Sequence, residues 1–288
     1  MSYRKRPVAM CFRLACLLLG ARQKNAVLVT RSYDRISGGY NGAWTHHMRH
    51  LTDELIDRLD VQEGQSALDL TCGTGYATRC IAARTGGRVV GVDASEGMLA
   101  QARAECPESC EFVHADILEY LRTLPDNSLD RVACCWGLGY CKPIKVLRQI
   151  RRVLKPGGRV GIIDNSLFSL REVLWTSVLT FMEQPAKLEN IMTFRFLTGC
   201  RQLRLWCRLA RLKPTCGWGG EKRYAVASGE EAIARLRATG AAAGFEYAAN
   251  EQDSPAVFAR FAEILEQRYC KEGAIPIVHR YLAGIALK

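Results

Sequence analysis

From residue 67 to residue 164, short apolar runs alternate with amphipathic ones, and this rhythm constrains the fold more than any other feature of the chain. "SALDLT", "RVVGVD", "CEFVHAD", "LDRVACCW" and "RVGIID" each read as a strand. Between them, "YATRCIAARTG", "SEGMLAQARAEC" and "PIKVLRQIRRVLK" read as helices. Gly86 ends the first helix, Ser95 is placed to cap the second, and Pro156, Gly157 and Gly158 close the third. Strands that alternate with helices are joined by crossovers, which make neighbouring strands parallel and cover both faces of the sheet. The expected fold is α/β, with a doubly wound, mostly parallel sheet.

The flanks are less regular. Upstream, "AWTHHMRHLTDELIDRLD" predicts a helix over 43–60, with Met48, Leu51, Leu55 and Ile56 on one face. After Asp164 the rhythm breaks. Residues 166–223 hold apolar helical stretches and no clear strand, which suggests a helical insertion after the fifth strand, covering the substrate side. "GEEAIARLRATGAAAGFEYAA" resumes the pattern with a helix, a glycine turn and a strand. A helix from Pro255 to Tyr269 and a strand in "RYLAGIALK" follow. The expected organisation is a basic N-terminal cap (1–42), a core (43–165), a lid insertion (166–223) and a C-terminal part of the core (224–288).

Charge follows these divisions. The formal net charge is +11, yet residues 61–165 are nearly balanced, with thirteen basic and twelve acidic side chains. Residues 1–40 hold eight Lys/Arg against Asp34 alone, and residues 195–223 hold eight against Glu221 alone. Basic flanks on a neutral core suit an anionic membrane surface, an anionic small substrate or a nucleic acid. The apolar run from Val8 to Leu19, broken by Arg13, is too short to span a bilayer. It reads as an interfacial helix held by Arg4, Lys5 and Arg6, as a secretory signal, or as a helix packed on the fold. Thirteen cysteines without zinc-like spacing, several inside apolar runs such as "VACCW", read as reduced, mostly buried thiols. A cytoplasmic location, peripheral to the membrane if the interfacial helix holds, is the corresponding expectation.

The chemistry is concentrated in "ALDLTCGTGYAT", residues 67–78. Gly73 and Gly75 let the backbone bend sharply and a ligand come close, and the helix that follows aims free N–H groups at the same spot. Asp93 ends the next strand, placed to accept hydrogen bonds from ribose hydroxyls. A nicotinamide-dinucleotide turn would read G-x-G-x-x-G/A, and here Thr78 stands at the last position. Asp69, four residues before Gly73, and the segments that follow turn the reading elsewhere.

Taken in order, "LDLTCGTG", "VVGVDASEGML", "FVHAD", "LDRVACCW" and "VLRQIRRVLKPGGRVGIID" resemble the motifs of the class I S-adenosylmethionine-dependent methyltransferases. With "YDRISGGYN" upstream, the resemblance is greatest to the ubiquinone/menaquinone methyltransferase-like group of small-molecule enzymes. It covers 33–165 well and 228–288 loosely. It implies a seven-stranded Rossmann-like sheet and S-adenosylmethionine as cofactor. Asp69, Gly73 and Gly75 would shape the pocket for the methionine end, which Tyr33 would close over. Asp93 would hold the ribose beside Ala94 and Met98, and Asp116 and Ile117 would flank the adenine. Cys134, Cys135 and Trp136 would face the cofactor. Asp69 as a mere tie of the turn and Met98 as plain core stand as the alternatives.

Methyl transfer from a sulfonium needs alignment and exclusion of water more than acid–base power. Where a base is needed, His46 and His47 in "THHMRH", Tyr140 and Asp164 are the candidates. His46 and His50 share a helical face, but a metal there would need further ligands that the sequence does not identify, so no metal is expected. The place after the fourth strand reads "CCWGLGY", without the Asn/Asp-Pro-Pro-aromatic or Pro-Cys signatures that nucleobase methyltransferases carry in this fold, which disfavours nucleic acid. "SLFSLREVLWTSVLTFM" and the Arg/Leu pattern of "RQLRLWCRLARL" favour a greasy partner or an anionic bilayer. The expected activity is methylation at carbon or oxygen of an apolar small molecule such as a quinone precursor, lipid or polyketide-like aromatic. A small-amine N-methyltransferase, an RNA methyltransferase and a non-catalytic cofactor-binding scaffold are the other readings.

Overall fold

The computed structural model describes residues 6–19, 25–241 and 243–288. Arg4 and Lys5, expected to anchor an interfacial helix, lie outside the described residues. The chain opens with α1 (Pro7–Leu19) and α2 (Asn25–Tyr40), then a π-helical turn (Asn41–Thr45) leading into α3 (His46–Leu59). The alternating part runs β1 (Ala67–Leu70), α4 (Tyr76–Thr85), β2 (Val89–Asp93), α5 (Glu96–Glu105) and β3 (Cys110–His114). It continues with α6 (Ile117–Thr123), β4 (Leu129–Cys135), α7 (Pro143–Val153) and β5 (Leu154–Asn165). Helices α8 (Arg171–Glu183) and α9 (Cys200–Leu209) precede β6 (Lys213–Val226), α10 (Gly229–Ala238), α11 (Ser254–Tyr269) and β7 (Ile275–Leu287).

The seven strands form one sheet in the order β3-β2-β1-β4-β5-β7-β6. Pairings from β3 to β5 are parallel, and β7 runs antiparallel to β5, with Arg159 opposite Leu287 and Asn165 opposite Tyr281. Every residue of β1 is buried, as expected of a parallel strand covered on both faces. The apolar face read for α3 is the one it buries: Met48, Leu55 and Ile56 are 1% exposed or less. Each such side chain contributes about 1.5–3 kcal/mol on leaving water.

By internal contacts the chain divides into two units. Unit 2 comprises residues 33–169, 194–221 and 280–288; unit 1 comprises 1–32, 170–193 and 222–279. Residues 224–279, expected in the core, thus lie in unit 1, and only 280–288 join unit 2. Unit 2 has one core cluster around Leu68, Val132, Val146 and Ile162, and another around Leu55, Ile81, Val89 and Ile285. Unit 1 is mainly helical, with a core of Leu236, Phe261, Leu265 and Ile277. Its ion pair between Glu183 and Arg260 is bidentate, at 2.7 and 3.0 Å, and nearly buried.

Three sequence expectations are corrected. The insertion is not purely helical at its end: residues 213–226 form β6, a strand hidden in the sequence by Gly217, Gly219 and Gly220 and by largely exposed side chains. "GFEYAA" is no strand but a 3-10 turn (Phe245–Tyr247), entered through Gly244 at φ +83°. The helix expected to reach Lys155 stops at Val153: the residue before Pro156 is pushed toward extended backbone, and β5 begins one residue earlier, at Leu154.

Candidate active site

β1 lies between β2 and β4, so the crossovers from β1 and those to β4 leave in opposite directions and open a crevice at the carboxyl ends of these strands. The turn after β1 enters it with Thr71 at φ +60°, Gly73 at +54° and Gly75 at +81°. A Cβ on Gly75 would stand 2.7 Å from Cys106 Sγ and 2.9 Å from Phe112 Cζ, so only glycine fits there. Around Gly73 a Cβ would meet nothing within 4 Å, which marks open space over the turn.

Two carboxylates fix this crevice differently. Asp93 accepts from Gly73 N–H at 2.8 Å on one oxygen and from Ser95 N–H at 3.0 Å on the other. Burial raises its pKa, while those N–H bonds oppose the rise. Each oxygen accepts one such bond, so acceptor capacity remains for a diol. Asp69 is fully buried; one oxygen accepts from Thr78 Oγ1 at 2.7 Å and Oδ1 has no hydrogen-bond partner. Burial pushes Asp69 up to about 7, against the Thr78 hydrogen bond.

Outer ties hold these parts in place. Asp34, next to Tyr33 on α2, accepts from Ser95 Oγ at 2.6 Å and Gly97 N–H at 3.0 Å. Asn41 accepts from Thr74 Oγ1 at 2.5 Å and donates to Glu105 at 2.8 Å. At the end of β4, a Cβ on Gly137 would lie 2.5 Å from Thr71 Cβ, so the ends of β1 and β4 interlock. Asp164, buried at the end of β5, accepts from Gly139 N–H at 2.6 Å and Asn165 N–H at 2.8 Å. Burial raises its pKa to about 7, with both N–H bonds opposing.

An aromatic cluster stands on this frame. Tyr33 and Tyr140 share a hydroxyl–hydroxyl hydrogen bond of 3.1 Å and meet edge to face. Tyr40 packs on Tyr33, and Phe194 and Phe196 pack on Tyr140 with centroids 5.6 and 5.4 Å away. Arg195 N–H donates to Gly139 O at 2.7 Å and seats the segment carrying both phenylalanines. Burial raises all three tyrosine pKa values, that of Tyr140 to about 12, so these hydroxyls stay protonated at neutral pH.

The other candidates are placed as follows. Ala94 is exposed beside Asp93, and Met98 is buried in α5, whose N-cap Ser95 accepts from Met98 N–H. Asp116 is exposed and caps α6, accepting from Leu118 and Glu119 N–H, while Ile117 is buried. Cys134 and Cys135 are buried, and burial holds both thiols neutral. Trp136, at φ +63°, turns its indole toward α3, donating to Thr52 Oγ1 at 3.0 Å and meeting Trp44 edge to face. His46 is exposed and His47 half-buried in the first turn of α3. Sequence reasoning missed Asn41, Thr71, Phe194 and Phe196 as parts of the site. Asp34 could have been found beside Tyr33; the two phenylalanines carry no local signal.

The crevice suits an adenosyl amino acid. Gly73 leaves room above the turn, Asp69 Oδ1 is a buried acceptor without a partner, and Asp93 keeps free acceptor sites. Residues 67–158 match a family model described as a methyltransferase domain. A demethylmenaquinone methyltransferase of Geobacillus stearothermophilus is 32% identical over 168 residues, which cover 54% of this chain and 71% of that protein. Another, of Listeria welshimeri, is 35% identical over 145 residues, 48% of this chain and 59% of that protein's length. The fold matches that of the Haemonchus contortus phosphoethanolamine N-methyltransferase 2 solved with S-adenosyl-L-methionine. The TM-score is 0.53 at 18% identity, over 88% of this chain and 57% of that one. With the crevice geometry, these likenesses mean that the chain belongs to the class I S-adenosylmethionine-dependent methyltransferases, in the menaquinone methyltransferase-like group.

Proposed function

We propose that the chain methylates carbon or oxygen of a flat, apolar aromatic acceptor, such as a quinol or polyketide-like ring. The aromatic cluster of Tyr33, Tyr40, Tyr140, Phe194 and Phe196 carries this reading: it offers ring faces and edges with two hydroxyls at one point. S-adenosylmethionine supplies an electrophilic methyl on a sulfonium. Asp93 would hold the ribose hydroxyls, and Asp69 would offer its free oxygen to the methionine end. Tyr140, protonated at neutral pH, would donate a hydrogen bond to an acceptor oxygen and hold the ring in line. Asp164 acts as a positioning residue, through Gly139 N–H, on the turn that carries Tyr140. The apolar walls exclude water, and an acceptor that is already electron-rich then needs no strong base. His46 and His47 are proposed as bases only for an acceptor that must lose a proton.

The same rings favour a second reading, a small cationic amine held by cation–π attraction. Incubation with methyl-labelled cofactor and separate pools of quinols and amines distinguishes them. Label moving into the solvent-extracted quinol pool supports the first reading; label in the amine pool alone overturns it.

Two helices support uptake from an anionic bilayer. On α1, Val8, Phe12 and Leu19 are 72–90% exposed, whereas Met10 faces the core. On α9, Leu203 and Cys207 are buried, while Leu205 and Leu209 are exposed among Arg201, Arg204 and Arg208. Exposed apolar side chains flanked by cations are the chemistry of an interfacial helix. Among the described residues no helix is long and apolar enough to cross a membrane. Flotation with phosphatidylglycerol vesicles, lost in Leu205→Gln/Leu209→Gln or on deleting residues 1–24, is the expected result. Retention on RNA instead, weakened by salt, would favour the nucleic-acid alternative.

A further inference from the structure

Unit 1 contains an apolar cavity that the methyl-transfer chemistry does not use. It lies among α8, α10, α11 and the turn at Phe245–Tyr247, and holds about 690 Å³ of atom-free space, its open mouth included. Its walls are leucine, isoleucine, valine, alanine and phenylalanine.

Its polar side chains are few and nearly all spoken for. Ser177 Oγ donates to Val173 O at 3.1 Å, and Thr180 Oγ1 donates to Thr176 O at 2.8 Å, each within its own helix. The exception is Arg237. This exposed side chain lines the cavity with its guanidinium 4.1 Å from the centroid of the Phe258 ring, also in the wall. Among the described residues no carboxylate pairs with it. An apolar chamber with one uncompensated cation in its lining selects a ligand with a long apolar body and one anionic end. The guanidinium fork, steadied on an aromatic face, matches a carboxylate.

We infer that this cavity is a binding site for a single aliphatic chain ending in a carboxylate, a free long-chain fatty acid. The chain lies along the apolar walls and the carboxylate pairs with Arg237. The site is independent of the methyl acceptor, because none of its lining residues takes part in the crevice described above.

The test titrates cis-parinaric acid into the full chain, followed by its fluorescence, and displaces it with laurate or 1-dodecanol. Saturable binding of one probe per chain is expected, with laurate the stronger competitor by about tenfold, the range of a charge-assisted hydrogen bond. Arg237→Gln, an exposed change, removes that advantage and leaves the alcohol within twofold. Ala249→Phe, which fills the cavity, abolishes displaceable binding while circular dichroism and Tm match the parent. Absence of saturable binding, equal competition by acid and alcohol, or laurate affinity unchanged in Arg237→Gln would each overturn the site. Calorimetric titration of S-adenosylmethionine in the same samples reads the crevice separately, so failure of one site is not mistaken for failure of the other.

Discussion

The two units solve opposite problems. In unit 2 the candidate functional groups are carboxylates pinned by backbone N–H groups at strand ends: Asp93 by Gly73 and Ser95, Asp164 by Gly139 and Asn165. In unit 1 the notable space is almost without polar groups, and its nearly buried charge pair, Glu183 with Arg260, is extended to Glu263 at the surface. Directional recognition sits where a sheet fixes the backbone. Shape and greasiness are offered where helices pack loosely enough to leave a void.

Perturbing each unit separately tests this contrast. The largest effect is expected from Glu183→Ala, which removes two charge-assisted hydrogen bonds to Arg260, leaves it Glu263, and costs about 3 kcal/mol of stability by denaturant titration. Cofactor affinity measured below the transition should be held. Asp93→Ala should do the reverse, weakening S-adenosylmethionine by about 100-fold in calorimetry through two lost charge-assisted hydrogen bonds. A smaller loss there would make the carboxylate a support of the turn rather than a ligand. Gly75→Ala strains a left-handed position and crowds Cys106 and Phe112, for about 2 kcal/mol of stability.

Next comes a pH effect. Asp69 and Asp164 are raised in the folded state to about 7, so that between pH 4 and 7 the native chain binds protons that the unfolded chain has released. Stability from these groups is therefore present at low pH and falls as pH rises through 7. Asp69→Asn should flatten this decline, with a Tm advantage over the parent at pH 8 of about 3–6 °C that vanishes near pH 4. A parallel loss at both values would mean that Asp69 is ionised throughout. The smallest effect is expected from Tyr33→Phe, which removes one hydroxyl from the Tyr140 pair and costs about 1 kcal/mol, read as a modest rise in acceptor KM.

What could be read in advance followed the same division. β1 to β5 were legible because parallel strands buried on both faces must be apolar runs, and Ser95 capping α5 is a local signal. Gly73, Asp69 and Asp93 were legible because they belong to a strand-end turn and its neighbour, where spacing determines position. β6 was not: three glycines and a largely exposed surface leave neither alternation nor a β-branched run. Phe194 and Phe196 reach the aromatic cluster from a stretch without helix or strand, where no periodicity announces a partner. Trp136 carries a contact that its position alone did not announce: at a left-handed φ its indole N–H donates to Thr52 Oγ1 on α3.

The antiparallel pairing of β7 with β5 has a consequence for biosynthesis. β5 pairs with β4 on one side, but its other partner is translated only after all of α8 to α11. At ribosomal speed the roughly one hundred intervening residues take about 5–20 s to emerge. Throughout that interval a nascent β5 presents bare amide and carbonyl groups along one edge, the geometry that invites foreign strands. The gene order of this sheet thus leaves that edge without its partner on the ribosome until β7 emerges.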